Sequence, residues 1–327
     1  DIGVTGVQTC ALPISTRITG IVLKSTGSWY NVFTADGMIA SRVRGRFRLK
    51  DKETTNPIAV GDQVDLQIEM DGSGTIMFIH PRWSKLSRRA AGRKATIEHV
   101  IVANVDMAWC VQSVIFPKFN PGFIDRFLVM TEINELPAGI ILNKCDLLNE
   151  ELAAEMAWWK QTYEDMGYPV ILTSASTGEG LEALVATLKN KTSVMSGPSG
   201  VGKSSLLNVL EPNLGLRTGE MSDYTQKGKH TTTHAELWPL SSGGYVADTP
   251  GLREFGIWDL APEDLSGFFL EFRPFLDNCH FPNCTHDHEP SCAIIEAVND
   301  GYITPERYKS YLNILSTLKQ GLKDTGR

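Results

Sequence analysis

The sequence of 327 residues lacks an apolar run that is long enough to cross a membrane. A membrane helix needs about 20 predominantly apolar residues. The longest candidate, residues 100–116, is interrupted by Asp106 and Gln112. No signal-peptide pattern stands near the start of the chain. These absences argue against membrane and secreted proteins and predict a cytoplasmic location. The apolar share of 42% is enough for the cores of two or three domains.

Cysteine is also scarce, and three of the six cysteines fall close together. In a reducing compartment such clustering favours metal binding over disulfides. The predicted ligands follow the spacing C-x4-C-x-H-x5-C and are Cys279, Cys284, His286 and Cys292. Three thiolates and one imidazole form a closed tetrahedral set, which predicts one structural Zn²⁺. His280 and His288 are alternatives to His286 for the nitrogen position, and free thiols without a metal are the simpler alternative.

An excess of basic residues is missing as well, since the net charge is −7. Residues 1–94 nevertheless carry 14 basic and 8 acidic residues, whereas the remainder carries 17 and 30. Within the basic part, cations occupy alternate positions at Arg42, Arg44, Arg46, Arg48 and Lys50. In a β-strand they would project from one face at intervals of about 6.6–6.8 Å, close to the spacing of phosphates along an extended nucleic-acid strand. The pattern predicts RNA contact, with a solvated strand face as the alternative.

Short alternating segments surround this basic strand. Strands are predicted at 18–23, 29–33, 61–68 and 75–79, separated by turns rich in Gly, Ser and Asp. Together with the basic strand they predict an OB-type barrel over residues 16–83. A basic connector is expected over 84–94, either as an extension of the RNA surface or as a solvated linker. Residues 1–15 show no period and resemble a translated sequencing adapter, with a short natural tail as the alternative.

A phosphate-binding loop is indicated by the pattern G-x-x-x-x-G-K-[ST]. Its residues, with the serine that follows, are Gly197, Pro198, Ser199, Gly200, Val201, Gly202, Lys203, Ser204 and Ser205. An N-K-x-D segment comes earlier in the chain, as Asn143, Lys144, Cys145 and Asp146. In an ordinary GTPase the phosphate loop comes first and the N-K-x-D segment late. The reversed order predicts a circularly permuted α/β P-loop GTPase domain, which we place at residues 95–260.

The N-K-x-D segment predicts guanine because of the hydrogen bonds that this base offers. Guanine presents two N–H donors side by side, and the carboxylate of Asp146 can accept both; adenine would leave the carboxylate partly unpaired. The segment follows an apolar stretch typical of a buried strand, at the edge where α/β sheets bind ligands. After the next predicted strand, Ser174 and Ala175 are small enough for their backbone to approach the guanine oxygen.

Magnesium and the γ-phosphate are expected at two further segments. Asp248 and Gly251 belong to D-T-P-G after a predicted strand, and Thr232 lies in the run K-H-T-T-T. We expect Ser204, Thr232 and Asp248 to hold Mg²⁺, and Gly251 to meet the γ-phosphate. Leu252 stands where many GTPases have a water-orienting glutamine, so slow intrinsic hydrolysis is predicted.

The C-terminal part, residues 261–327, is predicted to be helical around the zinc site. Pro262 can open one helix, with Leu265 and Phe269 among the residues of its apolar face. Thr304 is the expected N-cap of a second helix, with Pro305 at its first position. The fold class is therefore multi-domain, with an N-terminal OB-type barrel, a permuted P-loop GTPase domain and a C-terminal helical zinc-knuckle domain.

These three elements in this order resemble the RsgA (YjeQ/YloQ) family. The resemblance spans roughly residues 17–325 and rests on residues 143–146, 197–205 and 248–251 together with the zinc set. It implies a GTP hydrolase that binds the small ribosomal subunit and its rRNA, assists late assembly and is stimulated by the particle.

The resemblance also bears on catalysis and on the state of the protein. His230 resembles the histidine of the family's G-x-H-T-T segment and is the candidate for positioning water. GTP and GDP are the expected ligands, no membrane partner is expected, and the chain is expected to be a monomer. One alternative is a GTP-dependent RNA-binding checkpoint or chaperone whose hydrolysis is incidental. A translation or signalling GTPase without an RNA partner is a second alternative, which the basic strand disfavours.

Overall fold

The computed structural model describes residues 17–43, 57–89, 98–216, 235–248 and 260–324. Side chains are not described at 88, 89, 248 and 321–324. Within these ranges, no helix combines the length and apolarity of a membrane span. The chain builds a small barrel, a twisted sheet with helices on both faces, and a helical module, in that order.

Five strands form the part of the barrel that the structure describes. Their bounds are β1 Arg17–Thr26, β2 Trp29–Thr34, β3 Gly37–Val43, β4 Gln63–Ile68 and β5 Gly74–Ile79. Strand β1 pairs with both β2 and β4, and β3 lies parallel to β5, so the order β1-β2-β3-β5-β4 closes on itself. Alternate residues point inward, as in β2, where Tyr30, Val32 and Thr34 are buried. The predicted OB-type barrel is confirmed in this closed ring.

A hairpin connects the barrel to the next part, formed by β6 Lys85–Arg89 and β7 Glu98–Ala103. Part of the predicted basic connector is therefore a strand, and Lys85 of the connector has an acidic partner, as does Arg82 just before it. Arg82 forms a two-pronged ion pair with the buried Asp62 at 2.7 Å, and Lys85 pairs with Glu98 at 2.7 Å. Residues 90–97 lie outside the described residues.

The central sheet has the strand order β10-β9-β8-β11-β13-β12. The strands are β8 Met107–Ser113, β9 Ala138–Asn143, β10 Val170–Thr173, β11 Thr192–Ser196, β12 Glu236–Pro239 and β13 Tyr245–Asp248. All neighbours are parallel except β12, which runs antiparallel to β13. Every residue of β8 and β9 is buried, as expected for parallel strands that are covered on both faces.

Four helices cover this sheet: α1 Pro121–Ile133, α2 Glu150–Asp165, α3 Leu181–Leu188 and α4 Lys203–Leu210. Ala108 and Cys110 of β8 pack in the same cluster as residues of α1 and α2. Their neighbours Trp109 and Val111 pack with residues of α3 and α4. Alternate residues of one strand thus reach two different apolar layers, which is the doubly wound arrangement.

The C-terminal module contains two 3₁₀ helices, Pro262–Phe268 and Leu270–Asn278, followed by α5 Ala293–Asn299 and α6 Pro305–Asp324. The prediction of one continuous α-helix beginning at Pro262 is wrong. Phe269 is extended between the two 3₁₀ helices, and Pro274 has no N–H for a longer helix. The predicted apolar face is nevertheless the module's core, since Leu265, Phe269 and Phe272 are buried. The hydroxyl of Thr304 is buried and has no hydrogen-bond partner among the described residues, so it does not act as the predicted cap there.

Candidate functional site

The predicted nucleotide residues meet at one edge of the central sheet. Asn143 ends β9, Ser174 follows β10 and Gly197 follows β11, and these parallel strands end at the same edge. The order of the strands brings together segments that are more than fifty residues apart in the sequence. This edge is where doubly wound sheets bind ligands.

The phosphate loop runs from β11 into α4, and its glycines are required by close contacts. Gly202 has φ +95°, and a Cβ there would overlap the side-chain amide of Asn143. A Cβ on Gly197 would overlap the carbonyl oxygen of Val111. The ammonium of Lys203 donates to the carbonyl oxygens of Gly197 and Pro198 at 2.7 and 2.9 Å. The loop therefore curls around its own lysine, at the start of α4.

Asn143 joins the guanine-recognition segment to the phosphate loop. Its side-chain nitrogen donates to the carbonyl oxygen of Val201 at 2.9 Å, and its side-chain oxygen accepts from the hydroxyl of Thr173 at 3.2 Å. The side chain is buried, so both bonds are made away from water. Asn143 fixes the distance between the two segments that the sequence assigns to base and phosphates.

Lys144 has a left-handed backbone, with φ +66°, and its side chain turns toward the phosphate loop. The ammonium donates to the carbonyl oxygen of Gly200 at 2.8 Å and to the carbonyl oxygen of Phe116. Because these bonds hold the ammonium, the aliphatic stem of Lys144 spans from the guanine-recognition segment toward the phosphate loop.

Asp146 is exposed at this edge and accepts a hydrogen bond of 2.5 Å from the hydroxyl of Ser174. That bond keeps the pKa of the Asp146 carboxyl below its usual value. Ser174 is in turn 2.9 Å from the hydroxyl of Ser176. The carboxylate is therefore ionised at neutral pH and able to accept two parallel N–H donors. Cys145 is buried, and burial raises the pKa of its thiol to about 11.

Several predicted residues fall outside this description. His230, Thr232 and Gly251 lie outside the described residues, as do Arg44, Arg46, Arg48 and Lys50. The backbone of Asp248 ends β13 beside Met195 of β11, one strand from the phosphate loop. Of the basic strand, Arg42 is exposed at the end of β3, and its guanidinium lies over the ring of Trp29 at 4.6 Å.

A second site lies in the C-terminal module, where the ligand atoms of Cys279, Cys284, His286 and Cys292 are all within 4.8 Å of one another. The His286 Nδ1 atom is 3.5 Å from the Cys279 sulfur and 3.4 Å from the Cys292 sulfur. Tetrahedral bonds of about 2.3 Å to sulfur and 2.0–2.1 Å to nitrogen place these atoms roughly 3.5 Å apart. The geometry fits one ion of the size of Zn²⁺.

The surroundings also favour a metal at this cluster. Burial lowers the pKa of His286, which keeps its imidazole neutral, as a ligand must be. Burial raises the pKa of the Cys284 thiol to about 12. A bound cation removes this penalty by stabilising thiolates. Tyr308 and Tyr311 donate to the carbonyl oxygens of His286 and Thr285 at 2.8 and 2.7 Å, so α6 holds the ligand loop.

The two alternative histidines are not part of the cluster. His280 is exposed, and its ring packs edge-on against Phe281. His288 is exposed and bonds the carboxylate of Asp287. The structure therefore selects His286 for the nitrogen position among the three.

Comparison with known proteins decides which family this combination represents. A family model described as the RsgA GTPase matches residues 79–258, and one described as the RsgA N-terminal domain matches residues 19–76. The chain belongs to the RsgA GTPase family. The resemblance inferred from the motifs is thereby confirmed, together with the GTPase class.

Relatives and solved structures cover nearly the whole chain. The small ribosomal subunit biogenesis GTPase RsgA of Bacteroides fragilis is 40% identical over 303 residues, which are 92% of this chain and 97% of the relative. The protein of that name from Gemmatimonas aurantiaca is 43% identical over 311 residues, 93% of this chain and 99% of the relative.

The solved structures support the permuted fold. The crystal structure of YjeQ from Thermotoga maritima superimposes with a TM-score of 0.76 at 36% identity, covering 93% of this chain and 99% of that one. YloQ, described as a circularly permuted GTPase, gives a TM-score of 0.72 at 32% identity, covering 93% and 96%. The predicted permutation is confirmed by this likeness within the family.

Some residues of the site could not be found from the motifs. Thr173 donates to the side chain of Asn143, yet a hydroxyl at the end of a strand is too common to be informative. Phe116 bonds Lys144 from a segment 28 residues earlier, and only the fold brings the two together.

Proposed function

We propose that this chain hydrolyses GTP on the small ribosomal subunit and thereby assists a late step of the subunit's assembly. The observation that carries the proposal is the hydrogen bonding at the sheet edge, where Asn143 bonds the phosphate loop and Asp146 accepts from Ser174. It supports guanine-nucleotide binding in a member of the RsgA GTPase family. The relatives from Bacteroides fragilis and Gemmatimonas aurantiaca are named for biogenesis of the small subunit, which supports the choice of partner.

The guanine ring is proposed to lie along the Lys144 stem with its two N–H donors on Asp146. Ser174 and Ala175 approach the guanine oxygen through their backbone, and Asn143 and Cys145 shape the segment. The phosphates lie in the loop that begins at Gly197 and ends at Ser205. Backbone N–H groups of this loop and the ammonium of Lys203 would neutralise the phosphate charge.

Hydrolysis is proposed to use one residue of the phosphate loop and several that follow it. Ser204, Thr232 and Asp248 would hold Mg²⁺, which supplies positive charge to the β- and γ-phosphates. Gly251 would donate its backbone N–H to the γ-phosphate, and His230 would orient the attacking water. Leu252 cannot hydrogen-bond water, so the ribosomal particle is expected to complete the catalytic arrangement.

The Cys₃His cluster is proposed to hold one structural Zn²⁺. All four positions are filled by protein atoms, so the site leaves no place for an activated water. The ion would order the loop from Cys279 to Cys292, which has little regular structure of its own between its ligands.

The barrel is proposed to contact rRNA through the basic strand, from Arg42 to Lys50. Arg42 is exposed and carries its guanidinium over Trp29, which offers both a charge and a flat surface to nucleic acid. The protein is further proposed to act as a monomer in the cytoplasm.

The decisive experiment measures GTP turnover with and without purified small subunits. We expect slow turnover alone and a large rise with the subunit. Equal turnover in both cases, with GTP-dependent retention on the subunit, would favour the binding checkpoint over the enzyme.

Guanine recognition is tested by the substitution Asp146→Asn. It removes one acceptor, so the dissociation constant for GTP should rise by about 100-fold or more. Xanthosine triphosphate carries a carbonyl where guanine carries its amine, and it should bind the variant better than GTP does. The matched control is Asp277→Asn, an exposed acid in the C-terminal module. Unchanged GTP affinity in Asp146→Asn would reject the proposed pocket.

A further inference from the structure

The segment between β8 and α1, residues 114–120, lies against the nucleotide edge although it carries no nucleotide-binding motif. The N–H of Val114 donates to the carbonyl oxygen of Asn143 at 3.0 Å. The hydroxyl of Ser113 donates to the carbonyl oxygen of Pro117 at 2.7 Å. A Cβ added to Gly200 of the phosphate loop would lie 3.7 Å from the ring of Pro117. The segment therefore touches both the guanine-recognition segment and the phosphate loop.

Phe116 is the residue of this segment that meets Lys144. Its carbonyl oxygen accepts from the Lys144 ammonium, which also bonds Gly200. The backbone of Phe116 thus lies at the tip of the side chain whose stem forms one wall of the proposed guanine pocket. A phenylalanine ring reaches several ångströms from its backbone, which is far enough to contact a nucleoside lying on that stem.

The conformation of Phe116 is costly for the free protein. Its φ is +55°, in the left-handed region that a bulky side chain seldom adopts. The side chain is 71% exposed, so burial does little to offset this cost. Residues with strained backbone conformations are concentrated at active sites and ligand-binding segments.

We propose that Phe116 is a nucleotide-binding residue, whose ring covers the nucleoside of GTP or GDP beside the Lys144 stem. The inference rests on the proposed guanine-nucleotide site and adds a residue to it. Aromatic rings bind purines through their faces, and a ring at this position would exclude water from the bonds to Asp146. Because the contact involves the nucleoside and not the γ-phosphate, it is the same for GTP and GDP.

The test is calorimetric titration of the full-length chain with GDP and with a non-hydrolysable GTP analogue. Phe116→Ala should raise both dissociation constants by a similar factor, roughly 5- to 100-fold, as expected for the loss of one stacked ring. Phe116→Tyr keeps the ring and should restore tight binding. Tyr302→Ala removes another exposed ring, from the C-terminal module, and should leave both constants unchanged.

A purely structural role predicts different results. Phe116→Gly relieves the left-handed backbone, so thermal unfolding without nucleotide should not occur at a lower temperature than in the unmodified chain, although binding weakens. A lower unfolding temperature, failure of Phe116→Tyr to restore binding, or tight binding by Phe116→Ala would each overturn the inference. If the unmodified chain binds neither nucleotide, the proposed function itself fails, which is a separate outcome.

Discussion

The two outer parts of the molecule are joined to the GTPase domain by different kinds of contact. The barrel is attached mainly through backbone pairing. Strand β1 adjoins β12 at Lys24 and Glu236, which places the barrel strands in one sheet with the GTPase strands. Val60 forms a bridge with Val102 of β7, and the N–H of Ala103 donates to the carbonyl oxygen of Val60 at 2.8 Å.

The C-terminal module is attached through buried charges. Arg307 of α6 is 2% exposed and donates to Asp125 of α1, which is fully buried. The same guanidinium holds Glu271 with bonds of 2.7 and 3.2 Å. Tyr163 of α2 donates to Asp125 at 2.8 Å, so four elements share one ionic centre.

The difference teaches where single substitutions should act. Backbone pairing is insensitive to most side chains, so the barrel junction should tolerate change except where the chains approach very closely. A buried ion pair fails when either partner is removed, because the remaining charge has no water to solvate it. A few buried side chains should therefore determine the stability of the module junction. At the barrel junction, most side-chain substitutions should have little effect.

The largest effect is expected from loss of the proposed metal, which would unfold the module itself. Zinc-finger peptides gain about 10–16 kcal/mol from Zn²⁺, so His286→Ala should leave the module largely unstructured and the barrel intact. Elemental analysis measures the zinc content, and limited proteolysis measures the loss of structure in the C-terminal region. His288→Ala is the matched control and should keep both zinc and protease resistance. Equal zinc content in the two variants would contradict the ligand assignment.

The next largest effect is expected at the ionic centre. Asp125→Ala leaves Arg307 buried without its main partner and should lower the free energy of unfolding by about 3–5 kcal/mol. Urea titration followed by far-ultraviolet circular dichroism measures this loss of stability.

The control for this prediction replaces all three charged residues of the ionic centre. Adding Arg307→Met and Glu271→Gln to Asp125→Ala removes every charge of the centre, so the triple variant should recover much of the lost stability. A triple variant that is less stable than Asp125→Ala would show that packing and not charge holds the module.

This ionic centre also marks the limit of what the sequence could predict. The spacing within each motif was enough to predict the residues of the nucleotide edge, because each motif is a short segment whose backbone geometry suits one function. Asp125 and Arg307 are 182 residues apart and belong to no motif, so only the packed fold reveals their contact. The broken helix after Pro262 was missed for a related reason. Its apolar spacing is helical, but the proline at 274 and the extended Phe269 prevent one continuous helix.

At the barrel junction the sensitive position is expected to be a glycine. Gly61 has φ +90°, and a Cβ there would overlap the carbonyl oxygen of Ala103 on β7. Gly61→Ala should therefore cost about 1–3 kcal/mol for the left-handed backbone and a further amount for the clash. Gly72 has φ +80° with nothing within 4 Å of its Cβ position, so Gly72→Ala should show the backbone cost alone. Thermal unfolding measures the loss of stability in each of the two variants, and equal losses would mean that the junction is loosely packed.

The smallest effect is expected at the charge pair of the barrel junction. Lys24 and Glu236 are 2.8 Å apart, but their side chains are 40% and 36% exposed. Water screens such a pair, so Lys24→Ala should lower the free energy of unfolding by no more than about 1 kcal/mol. The coupling energy from a double-mutant cycle with Glu236→Ala should be equally small and should fall as salt is raised. A coupling of several kcal/mol would mean that the barrel too is held by charge, and the contrast between the two junctions would disappear.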